Sequence, residues 1–339
     1  MITIECFEGL PLEHESFLIE KYDSFMTTCR YLEIYHSTCD IKYVLIYENS
    51  ILLDLFIFEN VGNTTTCFNS LVEIDQNIVL KFLEYIFDNF PFIQKIKIIA
   101  SYKEYSFKNT VLFSKWNDHI IDLPASMNDY FLELGYHTRK NMKNRRVRLL
   151  RDYPNANFVV KFKTEIDAEI IDKILELSNE RMKHKGIVFG KDKIAKMNTY
   201  KYSQYYGCVT YVEIEGMIAA GSISTMLNKR IFAHVIAHDE SFSKYNLGET
   251  CMGYLIQTSI DKGMTSFNLS WGENEYKSRL LAKPHMLFSY NIYRAYSLDY
   301  LLSEIKSICS EIIKGFRLSK YSLPIRNAIK SYRIKKWNK

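Results

Sequence analysis

Arg230–Glu240, RIFAHVIAHDE, and the Ser241–Glu249 segment that follows, SFSKYNLGE, decide the fold. The first alternates apolar and polar residues as a half-buried strand does, and the second is a polar, glycine-containing turn. Thr250–Gly263, TCMGYLIQTSIDKG, then places apolar residues at helical spacing, with Gly263 where a C-terminal cap belongs. Met264–Gly272, MTSFNLSWG, reads as a second short strand, and Glu273–Ala282, ENEYKSRLLA, opens another helix. A loop holding Asn246 and Gly248 just before a helix leaves that helix's first amide N–H groups pointing outward, which is a ready place for a phosphate.

Outward from this stretch, the chain alternates helices with antiparallel meanders. Upstream, YGCVTYVEIEGMIAAGSISTMLNK adds two strands joined by a Glu-Gly turn, after a polar loop and an amphipathic helix, DAEIIDKILELSNERMKHKG, that Gly186 ends. Before them ANFVVKFKT reads as a strand and RKNMKNRRVRLLRD as a strongly basic helix. The N-terminal part predicts strands at Ile41–Tyr47, Ile51–Glu59 and Thr64–Val72, a helix in QNIVLKFLEYIFDNF, a buried strand in FIQKIKIIAS and a short one in HIIDLP. Residues 1–40 offer only a weak helix in SFLIEKYDSFM, and MLFSYNIYRAY reads as the last strand. The order of elements in the first half recurs in the second. The expected fold is therefore α+β, in two tandem units, each a mostly antiparallel mixed sheet flanked by helices. The divisions fall at 1–123, a basic helical linker at 124–152, a second unit at 153–300 and a basic helical tail at 301–339.

Composition narrows the classes. Hydrophobic residues make up 47% of the 339-residue chain, ample for a sizeable core and for two domains. No apolar run approaches the roughly 20 residues that cross a bilayer. The N-terminal MITIECFEGLPLEHE is acidic where a signal peptide is basic and then apolar, so a cytoplasmic protein without a membrane span is expected. The seven cysteines lie singly, with no CxxC pair, and suggest free buried thiols; no metal site is expected. Net charge is a modest +5, but basic residues gather at Arg139–Arg151 and Arg317–Lys339. Such patches suit nucleic acid or phosphate-bearing small molecules, and charge runs are as often a solvated helix face.

Ala237, Asp239, Phe242, Tyr245 and Gly248 form the pattern A-x-D-x-x-F-x-x-Y-x-x-G, and N-L-S-W-G-x-x-x-Y-K follows from Asn268 to Lys277. Together with the basic helix ahead of them, these motifs resemble the acyltransferase family of the GNAT superfamily that contains the BioF2-like and polysaccharide-biosynthesis proteins. The resemblance covers roughly Asp122 to Tyr290. It implies that the N-terminal half is the degenerate second unit of the related FemABX peptidyltransferases. It also implies a coenzyme A site, in which backbone amides near Ile236, Ala237 and His238 hold the thioester carbonyl. The loop Tyr245, Asn246, Leu247, Gly248, Glu249 and Thr250 would cradle the pyrophosphate. This loop departs from the family's R/Q-x-x-G-x-G/A, and Glu249 is an unfavourable neighbour for a polyanion.

Acyl transfer from a thioester to an amine requires a positioned, deprotonated amine, a stabilised oxyanion and a protonated leaving thiolate. His238 is the expected general base, since an ordinary imidazole titrates near neutrality; a hydrogen-bonded histidine within a sheet is the plainer alternative. His234 lies four residues earlier, which in a regular strand puts both on one face. Asn268 and Ser270 line the opposite wall, Trp271 offers a stacking face, and Tyr276 is the expected proton donor to the thiolate. Lys277 and Arg181 are candidates for phosphate contacts. The expected activity is transfer of an acyl group from acyl-CoA to the amine of a nucleotide-linked, dTDP-type amino sugar. Two alternatives stand beside it: a FemABX-like aminoacyl-tRNA-dependent aminoacyltransferase acting on a peptidoglycan precursor, and a nucleic-acid-binding protein on a GNAT scaffold.

Overall fold

A computed structural model of the chain describes residues 1–184, 186, 193–272, 274–295, 297 and 300–302; the basic helical tail expected from the sequence lies almost wholly outside them. The first part contains β1 (Ile2–Glu8), α1 (Glu15–Tyr22), α2 (Cys29–Tyr35), β2 (Ile41–Glu48), β3 (Ile51–Val61), β4 (Thr64–Cys67), α3 (Gln76–Asn89), β5 (Lys95–Ser101) and β6 (Thr110–Asp122). The second contains α4 (Met127–Glu133), α5 (Tyr136–Asp152), β7 (Asn157–Phe162), α6 (Ala168–His184), α7 (Lys193–Tyr206), β8 (Gly207–Ile214), β9 (Met217–Leu227), β10 (Arg230–His238), α8 (Leu247–Asp261), β11 (Ser266–Trp271), α9 (Glu275–Arg279) and β12 (Lys283–Tyr293).

All twelve strands join one mixed sheet in the order β1-β2-β3-β4-β5-β12-β6-β11-β10-β9-β8-β7. The two tandem units are thus fused edge to edge. β12 comes from the second unit, yet it lies between β5 and β6 and pairs antiparallel with both. That placement explains why β6 runs from Thr110 to Asp122 where the sequence suggests only a short strand, since it is flanked along its length by β12 and β11. Tight turns separate the meander strands: Asn49 and Ser50 take φ of 50° and 68° between β2 and β3, and Glu215 and Gly216 take 52° and 78° between β8 and β9.

Other elements also differ from the sequence expectation: β4 ends at Cys67 instead of running to Val72. The N-terminal residues form an edge strand, β1, whose Ile2, Ile4 and Cys6 pack against the first core. Residues from Lys193 on, expected as a polar loop, form helix α7, whose buried positions are Thr199, Tyr202 and Ser203. A helix buried through hydroxyl-bearing residues shows little apolar periodicity, so the pattern conceals it.

In the second half α8 covers one face of the sheet and α6 the other. The basic helix α5 lies on α8, close enough that a Cβ on Gly253 would stand 2.7 Å from Met142 Cε. A larger residue there would have to displace the Met142 methyl group.

Candidate active site

β10 and β11 run parallel, but they pair only from Arg230–Ser266 to Phe232–Asn268. Beyond Phe232 the strands part, and that edge of β10 has no strand opposite it. A cavity of about 720 Å³ opens at the gap. It is lined by both strands, by the start of α8 and by α6, α7 and α9, together with Phe25, Met26, Tyr31, Tyr35 and Leu71 from the first half.

A buried polar chain holds the gap open. Asp118 of β6, 1% exposed, accepts from Tyr102 Oη at 2.7 Å, from Asn268 Nδ2 at 2.5 Å and from its neighbour's amide, His119 N, at 3.1 Å. Asn268 Oδ1 in turn accepts from Ser270 N at 2.6 Å, and Ser270 Oγ donates to Ala233 O at 3.0 Å, bridging β11 to β10 where they separate. Ser270 takes φ of 59°, a left-handed turn in the strand that directs its hydroxyl across the gap. Lys277, 2% exposed, donates from Nζ to Ser270 O at 2.8 Å and Trp271 O at 2.9 Å, capping carbonyls that have left the sheet. Burial lowers the Lys277 pKa, and the Asp118 carboxylate offsets part of that. Burial, followed by the same carboxylate, pushes the Tyr102 phenol far up, so this hydroxyl stays a donor.

The loop between β10 and α8 is shaped by the motif residues. Asp239 accepts from Ser241 N at 2.8 Å and starts a 3₁₀ turn from Glu240 to Tyr245. Phe242 and Tyr245 stack edge-on against Tyr153, and Tyr245 Oη donates to Asp152 Oδ2 at 2.8 Å. Asn246 then takes a left-handed φ of 53°, and α8 begins without a side-chain cap on its first amides. Gly248 sits against His238, and a Cβ there would lie 3.0 Å from His238 Nδ1.

Glu249, the residue least compatible with a polyanion, is neutralised. Arg145 of α5 forms a tight ion pair with Glu249 Oε2, and Arg279 Nη2 reaches Oε1 at 3.1 Å. With its amide oxygen turned to the guanidinium, Asn246 also accepts from Arg145 Nη2 at 2.8 Å. The basic helix thus delivers one arginine to the start of α8.

Most of the residues singled out in the sequence meet at this cavity: His234, Ile236, His238, Asn246, Gly248, Glu249, Asn268, Ser270, Trp271, Tyr276, Lys277 and Arg181 all line it. Ala237, Tyr245 and Leu247 are buried in the core instead, and the Thr250 hydroxyl bonds back to Asn246 O at 3.3 Å. The expectation that His234 and His238 share a strand face is corrected by a β-bulge between Ala233 and Val235. Ile231 and Ala233 pack on the α8 side, whereas Val235 and Ala237 pack on the α6 side. His238 therefore meets α8, while His234 Nε2 lies 2.8 Å from Thr225 Oγ1 and its ring packs edge-on to Phe25. Trp271 is 62% exposed at the cavity's rim, edge-on to Trp116. Burial raises the Tyr276 phenol's pKa; Arg181 nearby works against that rise and Glu249 adds to it. Arg181 Nε has no hydrogen-bond partner among the described residues.

Sequence reasoning did not find Asp118, Tyr102 or the aromatic wall of Phe25, Tyr31, Tyr35 and Tyr202. No local motif marks them. Among the described residues no group of His, Cys, Asp and Glu could hold a metal ion, and no helix is long and apolar enough to cross a membrane.

Residues 137–278 match the family described as an acetyltransferase (GNAT) domain. The parted parallel strands and the loop-to-helix turn lie within the matched residues. Among solved structures, one described as FemX is similar over 86% of this chain and 97% of its own, with a TM-score of 0.63 at 10% identity. The L-PGS structure from Bacillus licheniformis is similar over 88% and 96%, with a TM-score of 0.54 at 15% identity. A conserved protein of unknown function from Bacteroides thetaiotaomicron VPI-5482 gives 0.55 at 15% identity, over 86% and 99%. At these identities the likeness is one of fold, and it extends over both halves. No curated protein matches the chain in sequence.

Proposed function

We propose that the chain is an N-acyltransferase that moves an acyl group from acyl-CoA to the amine of a nucleotide-linked amino sugar. The observation that carries this reading is the parting of β10 and β11 beyond Phe232, beside a helix start without a side-chain cap. The thioester carbonyl would lie against the free edge of β10 near Ile236 to His238, where main-chain amides can stabilise an oxyanion. The amine attacks the carbonyl carbon, the C–N bond forms and the C–S bond breaks. His238 takes the amine's proton, and Tyr276, kept protonated by burial, returns one to the departing thiolate. Donor phosphates would meet the start of α8. Arg181, whose Nε is unmatched among the described residues, favours a substrate bearing a phosphate, and the tyrosine wall suits a ring.

Thermal shift with acetyl-CoA, longer acyl-CoAs and dTDP-sugars tests the reading, because a ligand held by the native state raises its melting temperature. Acyl-CoAs are expected to raise it, and Arg181→Gln to weaken only the phosphate-bearing acceptor. No shift with any CoA ester would sink the proposal. The second reading, an aminoacyl-tRNA-dependent transferase, is favoured by the exposed basic residues of α5, where seven Lys and Arg face one acidic residue between Tyr136 and Asp152. Salt-sensitive binding of charged tRNA without CoA binding would select it.

A further inference from the structure

Helix α5 turns one face to the protein: Met142 meets Gly253 of α8, Arg145 pairs with Glu249 and Leu149 is buried. The opposite face carries Tyr136, Lys140, Lys143, Val147 and Arg151, spaced three or four apart and so aligned in one stripe. Two of these five are apolar and open to solvent, Tyr136 at 62% exposure and Val147 at 68%. Leu132, at the corner where α4 hands over to α5, is 74% exposed. No acidic residue occurs from Leu134 to Arg151; Glu133 bounds the stretch at one end and Asp152, 2.9 Å from Arg151, at the other. Four of the helix's seven cations are committed to the fold. Arg139 donates to Phe131 O, Arg145 pairs with Glu249, Arg146 stacks on Phe158 and Tyr254, and Arg148 lies over Tyr245. The remaining three, Lys140, Lys143 and Arg151, all lie in the outward stripe. Lys140 and Lys143 stand over the Tyr136 and Phe131 rings, at 5.7 and 5.3 Å, and among the described residues neither meets a carboxylate.

We infer that the outward face of α5, with the α4–α5 corner, docks the protein on an anionic bilayer surface. Charge alone would suit any polyanion, nucleic acid included. The apolar side chains decide between them. Val147 sits one turn from Lys143 and one from Arg151, and an aliphatic side chain there gains nothing against a sugar-phosphate backbone. At a bilayer it enters the boundary between headgroups and acyl chains, while Tyr136 takes the interfacial position that suits a ring with a polar tip. The lysine stems lie along the apolar surface and carry their charge to the lipid phosphates. An apolar centre flanked by cations, with no acid among them, complements a negatively charged leaflet. Because the inner face of α5 lies on α8, docking holds the cavity one helix layer, about 10 Å, behind the helix that touches the membrane. The inference goes beyond the proposed function and does not depend on the acyl donor.

The test is co-sedimentation of the full chain with vesicles of equal parts phosphatidylglycerol and phosphatidylcholine, beside vesicles of phosphatidylcholine alone and a short RNA duplex. The chain is expected to pellet with the mixed vesicles and not with phosphatidylcholine alone. Lys140→Gln and Lys143→Gln should each weaken binding about fivefold, and about 25-fold together. Val147→Ser should weaken it about tenfold with no change of charge. Lys173→Gln on α6, which covers the other face of the sheet, should leave it unchanged. These side chains are exposed, so each variant should melt at the temperature of the unmodified chain, which separates lost docking from lost folding. The inference is overturned if the mixed vesicles are not bound, or if Val147→Ser binds them as tightly as the unmodified chain, which marks a purely electrostatic surface. It is overturned as well if Lys173→Gln weakens binding as much as Lys143→Gln. A duplex bound more tightly than the mixed vesicles, and released by the two lysine changes but not by Val147→Ser, would overturn it in favour of a nucleic-acid surface.

Discussion

The two halves of the sheet share one wiring plan and use it to opposite ends. In each, an antiparallel meander, β2-β3-β4 or β8-β9-β10, leads through a helix, α3 or α8, into a strand parallel to the last of the meander. In the first half the chain beyond β4 pairs again with β5: Leu71 N donates to Ala100 O at 2.8 Å, and Val72 forms a parallel bridge with Ser101. Asn69, 2% exposed, ties the intervening turn to β3, accepting from Ile57 N at 2.8 Å and donating to Leu55 O at 2.8 Å, and Asp75 caps α3 by accepting from Asn77 N at 2.8 Å. In the second half the corresponding gap is a cavity, and the residue before α8 is a left-handed Asn246 that offers its helix no side-chain cap. The two halves thus differ in two local choices: whether the backbone pairs again across the gap, and whether a side chain caps the helix start.

If the comparison is right, substitutions in the open half should cost turnover and those in the paired half should cost stability. The largest effect is expected for His238→Ala, which should lower the rate of thiol release by about 10²- to 10⁴-fold while the melting temperature barely moves. Asp118→Ala should do both, since it leaves the Tyr102 hydroxyl and the Asn268 amide buried without their acceptor. Urea unfolding should show a loss of about 2–4 kcal/mol together with reduced turnover. Asn69→Ala in the paired half should cost about 1–3 kcal/mol, with turnover per folded molecule unchanged; a lost activity there would break the comparison. Asp75→Ala should cost about 1 kcal/mol through the α3 cap, again without a kinetic effect.

The smallest expected effect is a pH dependence. Burial raises the Asp23 pKa from 3.8 to about 6, with Arg230 opposing the shift from 3.3 Å away. Between those values the folded chain binds more protons than the unfolded one, so stability should fall as pH rises through that window. Asp23→Asn should flatten this slope in unfolding curves recorded from pH 4 to 7. An unchanged slope would assign it to another group.

Much of the fold is legible because local pattern and tertiary role agree. The β-branched runs at Ile41 and Ile51 and the amphipathic Gln76–Asn89 fall within the observed elements. β1 and α7 escape for a physical reason: one is a seven-residue edge strand only half-buried, and the other buries Thr199, Tyr202 and Ser203, which read as polar. The cavity's own residues are legible where they come from one continuous strand, turn, helix and strand. The remaining lining is not, because Tyr31, Asp118 and Tyr202 reach the cavity only once separate parts of the chain have packed. The His234 bulge is likewise invisible to strand periodicity, which presumes a regular alternation.

The position of β12 governs when the molecule can be complete. Until Lys283–Tyr293 has been synthesised, β5 and β6 lack the strand that joins them, and each exposes an unpaired edge. A nascent chain released as far as α8 therefore has the sequence of the loop between β10 and α8 but not the central sheet against which Asp118 orients Asn268. Maturation of the cavity should be late and abrupt, set by closure of contacts more than 160 residues apart, such as Lys283 with Asp122. Vectorial synthesis would then yield a folded first meander well before any competent site.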